Sequence, residues 1–192
     1  VKNTDVSLTL GSIESTDTVP SEPLYWKILL DEIDFENVGF ALKMPQDSLF
    51  VRTMLPKTTL KNGVIDLKEA SYYVKSFGID NAELAYGPKE ELFLQQIGLQ
   101  LDSIYYCGKD IRANIEEFVL KERSGLELVS TEGRIVSDSV LIEIPKFTMK
   151  TTASSLDLQT KIGWDVLEMK KTGVLSAKIN AEIGKGDVAK IL

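Results

Sequence analysis

The chain has 192 residues, of which 43% are hydrophobic and 27% charged, a composition that is ordinary for a single folded domain. Its net charge of -7, without a Lys/Arg stripe, argues against a nucleic-acid backbone or an anionic membrane surface as partner. No apolar run approaches the ~20 residues that span a bilayer. Histidine is absent, which excludes catalytic arrangements built on a Ser-His or Cys-His pair.

The first residues combine a short strand pattern with a polar stretch. Alternating apolar residues at Val6, Leu8 and Leu10 predict one strand near the start. The stretch from Ser12 to Pro23 is rich in Ser, Thr, Asp, Glu and Pro, and it predicts a flexible loop inside one β-rich segment that covers residues 1–192. Because the chain starts at Val1 without Met, we expect it to be a piece of a longer protein.

From Leu24 onward, apolar residues recur at the first, third, sixth and eighth positions of a repeated pattern. A spacing of two keeps side chains on one face of a strand, but a step of three reverses the face unless a bulge or sharp bend absorbs one residue. The pattern predicts an all-β fold, a curved antiparallel sheet of kinked strands with at most one or two short helices. The copies are Ile28, Leu30, Ile33 and Phe35, continued by Val38, Phe40 and Leu42; Ile65, Leu67, Ala70 and Tyr72; Phe77, Ile79, Ala82 and Leu84; Leu99, Leu101, Ile104 and Tyr106; Ala113, Ile115, Phe118 and Leu120; and Ile142, Ile144, Phe147 and Met149.

Turn signals divide this body into strands. Asn62-Gly63 predicts a type I′ hairpin between Leu55–Leu60 and Val64–Tyr73, because both central residues of that turn need positive φ. The single helix candidate is Pro88 to Ile97, with Pro in the first turn followed by Glu90 and Glu91. Further turns are predicted at Gly87-Pro88, Gly108-Lys109, Ser124-Gly125, Glu132-Gly133 and Ser137 to Ser139.

Residues with catalytic or ligand-binding potential have simpler structural explanations. The lone Cys107 lacks a histidine base and fits a packed or surface thiol at a strand end. Acidic residues such as Asp31 and Glu32 are interspersed with apolar ones, which is typical of a strand with one solvent-exposed face. We therefore expect no catalytic residue, metal site or cofactor, and no enzymatic activity. Sugar binding by Trp26 or Trp164 remains an alternative if either ring is exposed beside carboxylates.

Periodicity alone does not distinguish an open apolar groove from a closed sandwich. Six segments, however, resemble in their order the N-terminal periplasmic region of Bacteroidetes-type TamB proteins, of the translocation and assembly module, within the AsmA-like superfamily. The resemblance covers nearly the whole chain, and it is a similarity of strand-rich sequence and not of a catalytic motif. The segments are LYWKILLDEIDFENVGFALKM (24–44), LKNGVIDL (60–67), GIDNAELAYG (78–87), LQLDSIYYCGKDIRA (99–113), FVLKERSGLEL (118–128) and GRIVSDSVLIEIP (133–145).

This resemblance implies a solenoid-like periplasmic β-taco, held in the inner membrane by an anchor that this chain lacks. It also implies an outer-membrane barrel partner that other parts of the full-length protein would contact. The implied function is phospholipid transport between the two membranes and outer-membrane biogenesis, with acyl chains in a hydrophobic groove. The alternative is a scaffold that pairs its strand edges with outer-membrane proteins during their assembly or secretion, and edge self-association of the fragment is a further expectation. The candidate groove-lining residues are Ile28, Leu30, Ile33, Phe35, Phe40, Leu67, Leu84, Leu101, Tyr106, Ile115, Phe118, Ile142, Ile144 and Phe147.

Overall fold

In the described part of the chain, ten strands form one sheet in which the spatial order of the strands is their order in the chain. The structure is a computed structural model that describes residues 2–9, 25–44, 49–87, 89–170 and 172–191. The strands are β1 (Lys2–Thr9), β2 (Lys27–Met44), β3 (Leu49–Asp66), β4 (Ser71–Tyr86), β5 (Leu92–Cys107), β6 (Asp110–Glu122), β7 (Glu127–Ser137), β8 (Leu141–Thr151), β9 (Ser155–Gly163) and β10 (Leu175–Glu182).

The sheet is a meander that curves without closing. Every neighbouring pair from β2 to β10 is antiparallel, while β1 lies parallel to β2. The predicted all-β fold, with kinked antiparallel strands and two short helices, is confirmed. The strand predicted near the start is β1, although its parallel orientation was not expected. The flexible loop predicted from Ser12 to Pro23 lies outside the described residues.

Several strands bend at residues in the left-handed conformation. Asn37 of β2, Asn81 of β4 and Gln96 of β5 have φ of 52°, 56° and 54°. Asn37 and Asn81 both lie opposite Pro56 of β3, because the flanking pairs keep one register. Asn tolerates positive φ better than most residues. These bends form a crease across adjacent strands, at the steps of three from Phe35 to Val38 and from Ile79 to Ala82.

A second crease contains the Asn62-Gly63 pair, so the predicted hairpin at this position is wrong. Asn62 does have a positive φ of 51°, but β3 continues through it to Asp66 and pairs with β2 and β4 on both sides of it. In β5 the matching bend is Ser103, with φ of 54°. The hairpin turn between β3 and β4 comes later, where Ala70 has φ of 48°.

Two other local predictions are wrong. The segment predicted as a helix from Pro88 to Ile97 enters β5 at Leu92, because Leu92, Phe93 and Leu94 pair with Tyr86, Ala85 and Leu84. Pairing with β4 thus overrides the helical signal of the preceding acidic residues. The predicted turn at Glu132-Gly133 lies inside β7, where Gly133 pairs with both Ile115 and Phe147. The predicted turns at Gly108-Lys109, Ser124-Gly125 and Ser137 to Ser139 coincide with strand ends.

Two short helices, α1 (Trp164–Leu167) and α2 (Lys185–Ile191), flank β10 in the chain. The indole of Trp164 donates a hydrogen bond of 2.7 Å to the Asp138 carbonyl, which fixes α1 at the β7–β8 turn. Asp187 of α2 accepts hydrogen bonds from the β8–β9 turn. Both helices therefore lie at turns of the sheet.

The interior of the sheet contains a gap in the strand pairing. Strands β6 and β7 pair from Ile111 to Ile115 and again at Leu120 and Lys121, but no pair joins residues 116–119 to 129–132. On their other sides, residues 117–119 of β6 pair with β5 and residues 130–132 of β7 pair with β8. The gap is thus a local separation of two neighbouring strands within one sheet.

Burial within the sheet is shallow. The buried apolar residues among those described are Ala82, Ala85 and Leu128, and no large side chain there is fully buried. A second layer that covers either face is absent from the described part of the chain. The fold therefore relies on strand ladders and on contacts between half-buried neighbours within each face.

Candidate functional site: the apolar face of the sheet

Side chains that pair across the strands form continuous apolar rows. Two of these rows cross nine strands. One of them, which we name the central row, runs from Ile33 of β2 to Ile179 of β10, and its single residue without an apolar side chain is Gly133. We name these rows together the apolar face. Its rows are Ile28, Ile65, Tyr72, Tyr106, Ile111, Ser137, Ile142, Ile162 and Leu175; Leu30, Gly63, Val74 and Ile104, with Ile144, Thr160 and Ala177; Ile33, Leu60, Phe77, Leu101, Ile115, Gly133, Phe147, Leu158 and Ile179; Phe35, Thr58, Ile79, Leu99 and Phe118; and Phe40, Thr53, Leu84 and Leu94.

The creases keep these rows on one side of the sheet. A Cβ built on Gly63 would lie 3.3 Å from the Cβ of Leu30 and 3.1 Å from a methyl group of Leu60, so all three positions point the same way. Gly63 and Leu60 are three residues apart, and ordinary alternation would place them on opposite faces. The left-handed Asn62 between them reverses the alternation. Because Asn81 has the same conformation at the same step of three, we assign the row of Phe40 to this face as well.

The opposite side, which we name the charged face, carries polar residues and charges of both signs. One of its rows runs through Glu32, Lys61, Ser76, Asp102, Asn114, Arg134 and Lys146. Directly opposed residues form ion pairs, with 2.8 Å between Glu32 and Lys61 and 2.9 Å between Glu143 and Lys161. Exposed pairs of this kind contribute only ~0–1 kcal/mol each. Because charged groups are costly to bury, these side chains keep this side of the sheet exposed to solvent.

All but one of the predicted groove-lining residues lie on the apolar face. The exception is Leu67, which follows β3 in the turn and donates its backbone N–H to the Trp26 carbonyl. The copy of the pattern that contains it, from Ile65 to Tyr72, spans a turn instead of a kinked strand. The residues brought together are Ile28, Leu30, Ile33, Phe35, Phe40, Leu84, Leu101, Tyr106, Ile115, Phe118, Ile142, Ile144 and Phe147.

The predicted groove-lining residues did not include some members of the central row, such as Leu60, Phe77, Leu158 and Ile179. Leu60 was missed because Asn62-Gly63 predicted a chain reversal beside it. Leu158 and Ile179 lie in β9 and β10, where apolar residues alternate at a spacing of two without a step of three. That plain alternation was the signal that could have found them.

The apolar face is partly open to solvent along its length. Residues in the middle of the sheet, such as Leu101 and Phe147, are half-buried by their neighbours. Tyr72 and Tyr106 are 42% and 46% exposed and contact each other at 5.9 Å between ring centres. At the β10 edge, Ile179 is 64% exposed. Large exposed apolar surfaces mark binding sites for apolar partners or for protein.

The polar groups on this face do not converge on a ligand. Thr53 and Thr160 donate their hydroxyls to the carbonyls of Glu83 and Ser176, within the sheet itself. The hydroxyl oxygens of Thr58 and Thr131 are buried without a hydrogen-bond partner. The apolar face therefore offers contact area for an apolar ligand and little directional recognition.

Other chemically capable groups are dispersed. The described residues contain no cluster of Cys, Asp or Glu that could hold a metal ion. The thiol of Cys107 lies 3.5 Å from the Glu69 carbonyl at the end of β5. The Lys109 ammonium lies over the ring of Trp164, 5.0 Å from the ring centre. Trp26, just before β2, is 65% exposed. These residues lie at turns and strand ends and do not form a common site.

No family model matches the chain, and neither a curated protein nor a solved structure is significantly similar to it. Neither of the two helices in the described ranges is long and apolar enough to cross a membrane.

Proposed function

We propose that the apolar face holds the acyl chains of phospholipids, as one wall of a hydrophobic groove in a longer periplasmic protein of the TamB type. The observation that carries this proposal is the row from Ile33 to Ile179, which crosses nine strands without a charged side chain. Because strands lie ~4.8 Å apart, this row extends over roughly 38 Å.

The energetics favour such a surface for lipid transport through water. Each exposed CH₂ costs ~0.8 kcal/mol, so a phospholipid with two long chains carries a penalty of tens of kcal/mol. A continuous apolar face removes much of that penalty at every position along its length. The near absence of directional polar groups suits a ligand that must slide, since strong local hydrogen bonds would hold it in one place.

The contrast between the two faces supports the same proposal. The charged face presents ion pairs such as Glu32–Lys61 to water, while the rows of the apolar face contain no charged side chain. A sheet with one solvated face normally packs its other face against a core. Since no described residue covers the apolar face, an external apolar occupant fits it best.

Photo-crosslinking at neighbouring residues on opposite faces tests the proposal. A photoreactive amino acid replaces Phe147 or Phe118, and the matched controls carry it at Lys146 or Glu117. Each purified protein is irradiated with vesicles of phosphatidylethanolamine and phosphatidylglycerol and then analysed by mass. We expect phospholipid adducts at Phe147 and Phe118 and few at the controls. Equal labelling of both faces would contradict the proposal.

A charge placed on the apolar face should block transport. We expect Phe40→Glu or Ile144→Glu in the full-length protein to lower phospholipid flux to the outer membrane, because the lipid must pass a buried charge. The matched control is Thr148→Glu, which adds the same charge to the other face of β8. Normal flux in both apolar-face variants would argue against lipid conduction.

One observation favours a second candidate, a scaffold that pairs with strands of outer-membrane proteins. Strand β10 has neighbouring β9 on one side only, and all of its residues are exposed. Backbone pairing at an edge should be unaffected by a charge on the apolar face, whereas lipid binding should be weakened by it. In the same crosslinking carried out in cells, adducts at Phe147 to outer-membrane polypeptides alone, without lipid, would favour the scaffold.

A further inference from the structure

The outer edge of β10 has the properties of a strand-pairing surface. All eight of its residues are exposed, and it pairs with β9 in one unbroken register from Leu175 to Glu182. It contains neither proline nor a bulge, two of the devices by which edge strands avoid pairing. In the described part of the chain no strand contacts its outer side.

The side chains of β10 also lack the cover that their row neighbours have. Leu175 and Ile179 are 66% and 64% exposed, whereas Ile162 and Leu158, which pair with them in β9, are half-buried. The flanking Ile183 is 75% exposed. One more strand beside β10 would cover Ile179.

The chain that follows β10 turns away from this edge. A Cβ on Gly184 would overlap the carbonyl oxygen of Ala153, so the chain passes tightly against the β8–β9 turn. Asp187 then accepts a hydrogen bond of 2.6 Å from the Ser154 hydroxyl. Helix α2 therefore covers the turn on the inner side of β10 and leaves the outer edge accessible.

We propose that β10 pairs antiparallel with β10 of a second copy of this chain, around a two-fold axis at Asn180. In this register Lys178 lies opposite Glu182 of the partner subunit, and the same ion pair recurs across the axis. Ile179 lies opposite the partner's Ala181 on the apolar side. An axis at Lys178 would oppose two like charges, and an axis at Ile179 would form no ion pair, so charge complementarity selects Asn180.

The dimer joins two sheets into one, with a continuous apolar face on one side. A single strand pair buries little surface compared with a stable interface, so we expect reversible association at micromolar concentrations. This pairing depends on the β10 backbone and on Lys178 and Glu182. It is independent of what the apolar face binds, and its failure leaves the lipid proposal untouched.

Charge reversal tests the pairing and its register. We expect Lys178→Glu and Glu182→Lys each to weaken dimerisation about tenfold, since each turns two attractive pairs into repulsive ones. The double variant, and an equimolar mixture of the two single variants, should restore it. Lys75→Glu, an exposed site on the interior strand β4, is the control for the charge change itself. Sedimentation equilibrium gives the mass and the dissociation constant.

A disulfide at the axis provides a second readout. In a Cys107→Ser background, Asn180→Cys should form a covalent dimer under mild oxidation, because residues that face each other in an antiparallel pair lie within disulfide reach. Lys178→Cys should form much less. Three outcomes would overturn the proposal. The first is a monomer at all concentrations that forms no crosslinks, and the second is open-ended polymers from pairing of β1 with β10. The third is preferential crosslinking at Lys178→Cys.

Discussion

Asp187 and Ser154 form a hydrogen bond of 2.6 Å that links helix α2 to the turn between β8 and β9. Asp187 is only 3% exposed, and Thr151 and Thr152 also donate their hydroxyls to its carboxylate. The hydrogen bonds from Ser154 and Thr151 hold the pKa of Asp187 below its ordinary value. Lys190 lies 3.9 Å from the same carboxylate. A cluster of three hydroxyls and one ammonium thus keeps a short helix in place.

Removal of this charge should release α2 from the sheet. We expect Asp187→Asn to raise amide exchange in α2 and to lower the melting temperature by a few degrees, because an amide cannot accept all of these bonds. Hydrogen exchange with mass spectrometry measures the local effect. The control is Asp157→Asn, an exposed position on β9, which should leave α2 protected. Unchanged exchange in α2 of the Asp187 variant would contradict this role.

Acid titration should report the anchoring of α1. Hydrogen bonds from Lys109 and Lys170, at 2.7 Å and 2.8 Å, lower the pKa of Glu168 to about 2. A carboxyl with a lowered folded pKa stabilises the fold above its unfolded pKa and loses this contribution as pH falls through the folded pKa. The contribution is therefore lost between about pH 4.5 and 2.

The midpoint of this titration is measured by the carboxyl carbon shift of Glu168 in NMR. Because the side chain is exposed, screening makes the effect on global stability small, and the shift is the sharper readout. Lys109→Met should raise the midpoint toward the ordinary value. A midpoint near 4.5 in the unmodified protein would show that the ion pairs do not persist in solution.

The sequence predicted the arrangement of strands better than it predicted the turns. Steps of three inside a strand, such as Ile79 to Ala82, mark bends because the apolar face must be kept. The hairpin at Asn62-Gly63 was predicted wrongly, since the same left-handed Asn serves a turn and a crease equally well. The distinction depends on whether neighbouring strands pair on both sides, and this long-range contact is invisible in a local window.

The helix predicted at Pro88 failed for a related reason. Glu90 and Glu91 favour a helix start, but Glu90 instead accepts a bond of 2.6 Å from Arg52 at the strand end. The parallel pairing of β1 with β2 also had no sequence signal. By contrast, the apolar face could be predicted from periodicity, because burial on one side of a sheet requires regularly spaced apolar residues within each strand.

The gap between β6 and β7 should be visible in hydrogen exchange. We expect faster amide exchange in residues 116–119 and 129–132 than in residues 111–115 and 133–137 of the same strands, because no cross-strand pair protects the gap. Amides that bond to β5 or β8 on the outer sides should stay protected, so the effect alternates along each strand. Uniform protection along both strands would show that the gap closes in solution.

The crease at Asn81 should resist β-branched residues. With φ of 56°, this position is left-handed, and we expect Asn81→Val to cost ~1–2 kcal/mol of unfolding free energy. Asn81→Gly should be tolerated, since glycine adopts positive φ without steric cost. Urea denaturation gives the free energies. The control is Glu83→Val on the same strand, where valine suits the extended backbone. Equal stability of the two valine variants would contradict a left-handed crease.

Gly133 should be restricted to glycine by Phe147. A Cβ built on Gly133 would lie 2.8 Å from the Phe147 ring, so one of the two must move. We expect Gly133→Ala to cost ~1–3 kcal/mol, as in other overpacked sites. Gly186→Ala is the control, because there the new Cβ meets Ala153 at an ordinary 3.7 Å.

A double-mutant cycle isolates the contact between Gly133 and Phe147. Phe147→Leu removes the ring that the new methyl group would strike, so Gly133→Ala should cost much less in that background. The expected coupling is ~0.5 kcal/mol or more, which equilibrium urea unfolding resolves. Additive effects would mean that the strain comes from the backbone of β8, whose Lys146 carbonyl would lie 3.4 Å from the same Cβ. The close packing of the central row at Gly133 would then depend on the backbones of β7 and β8 and not on the aromatic ring beside them.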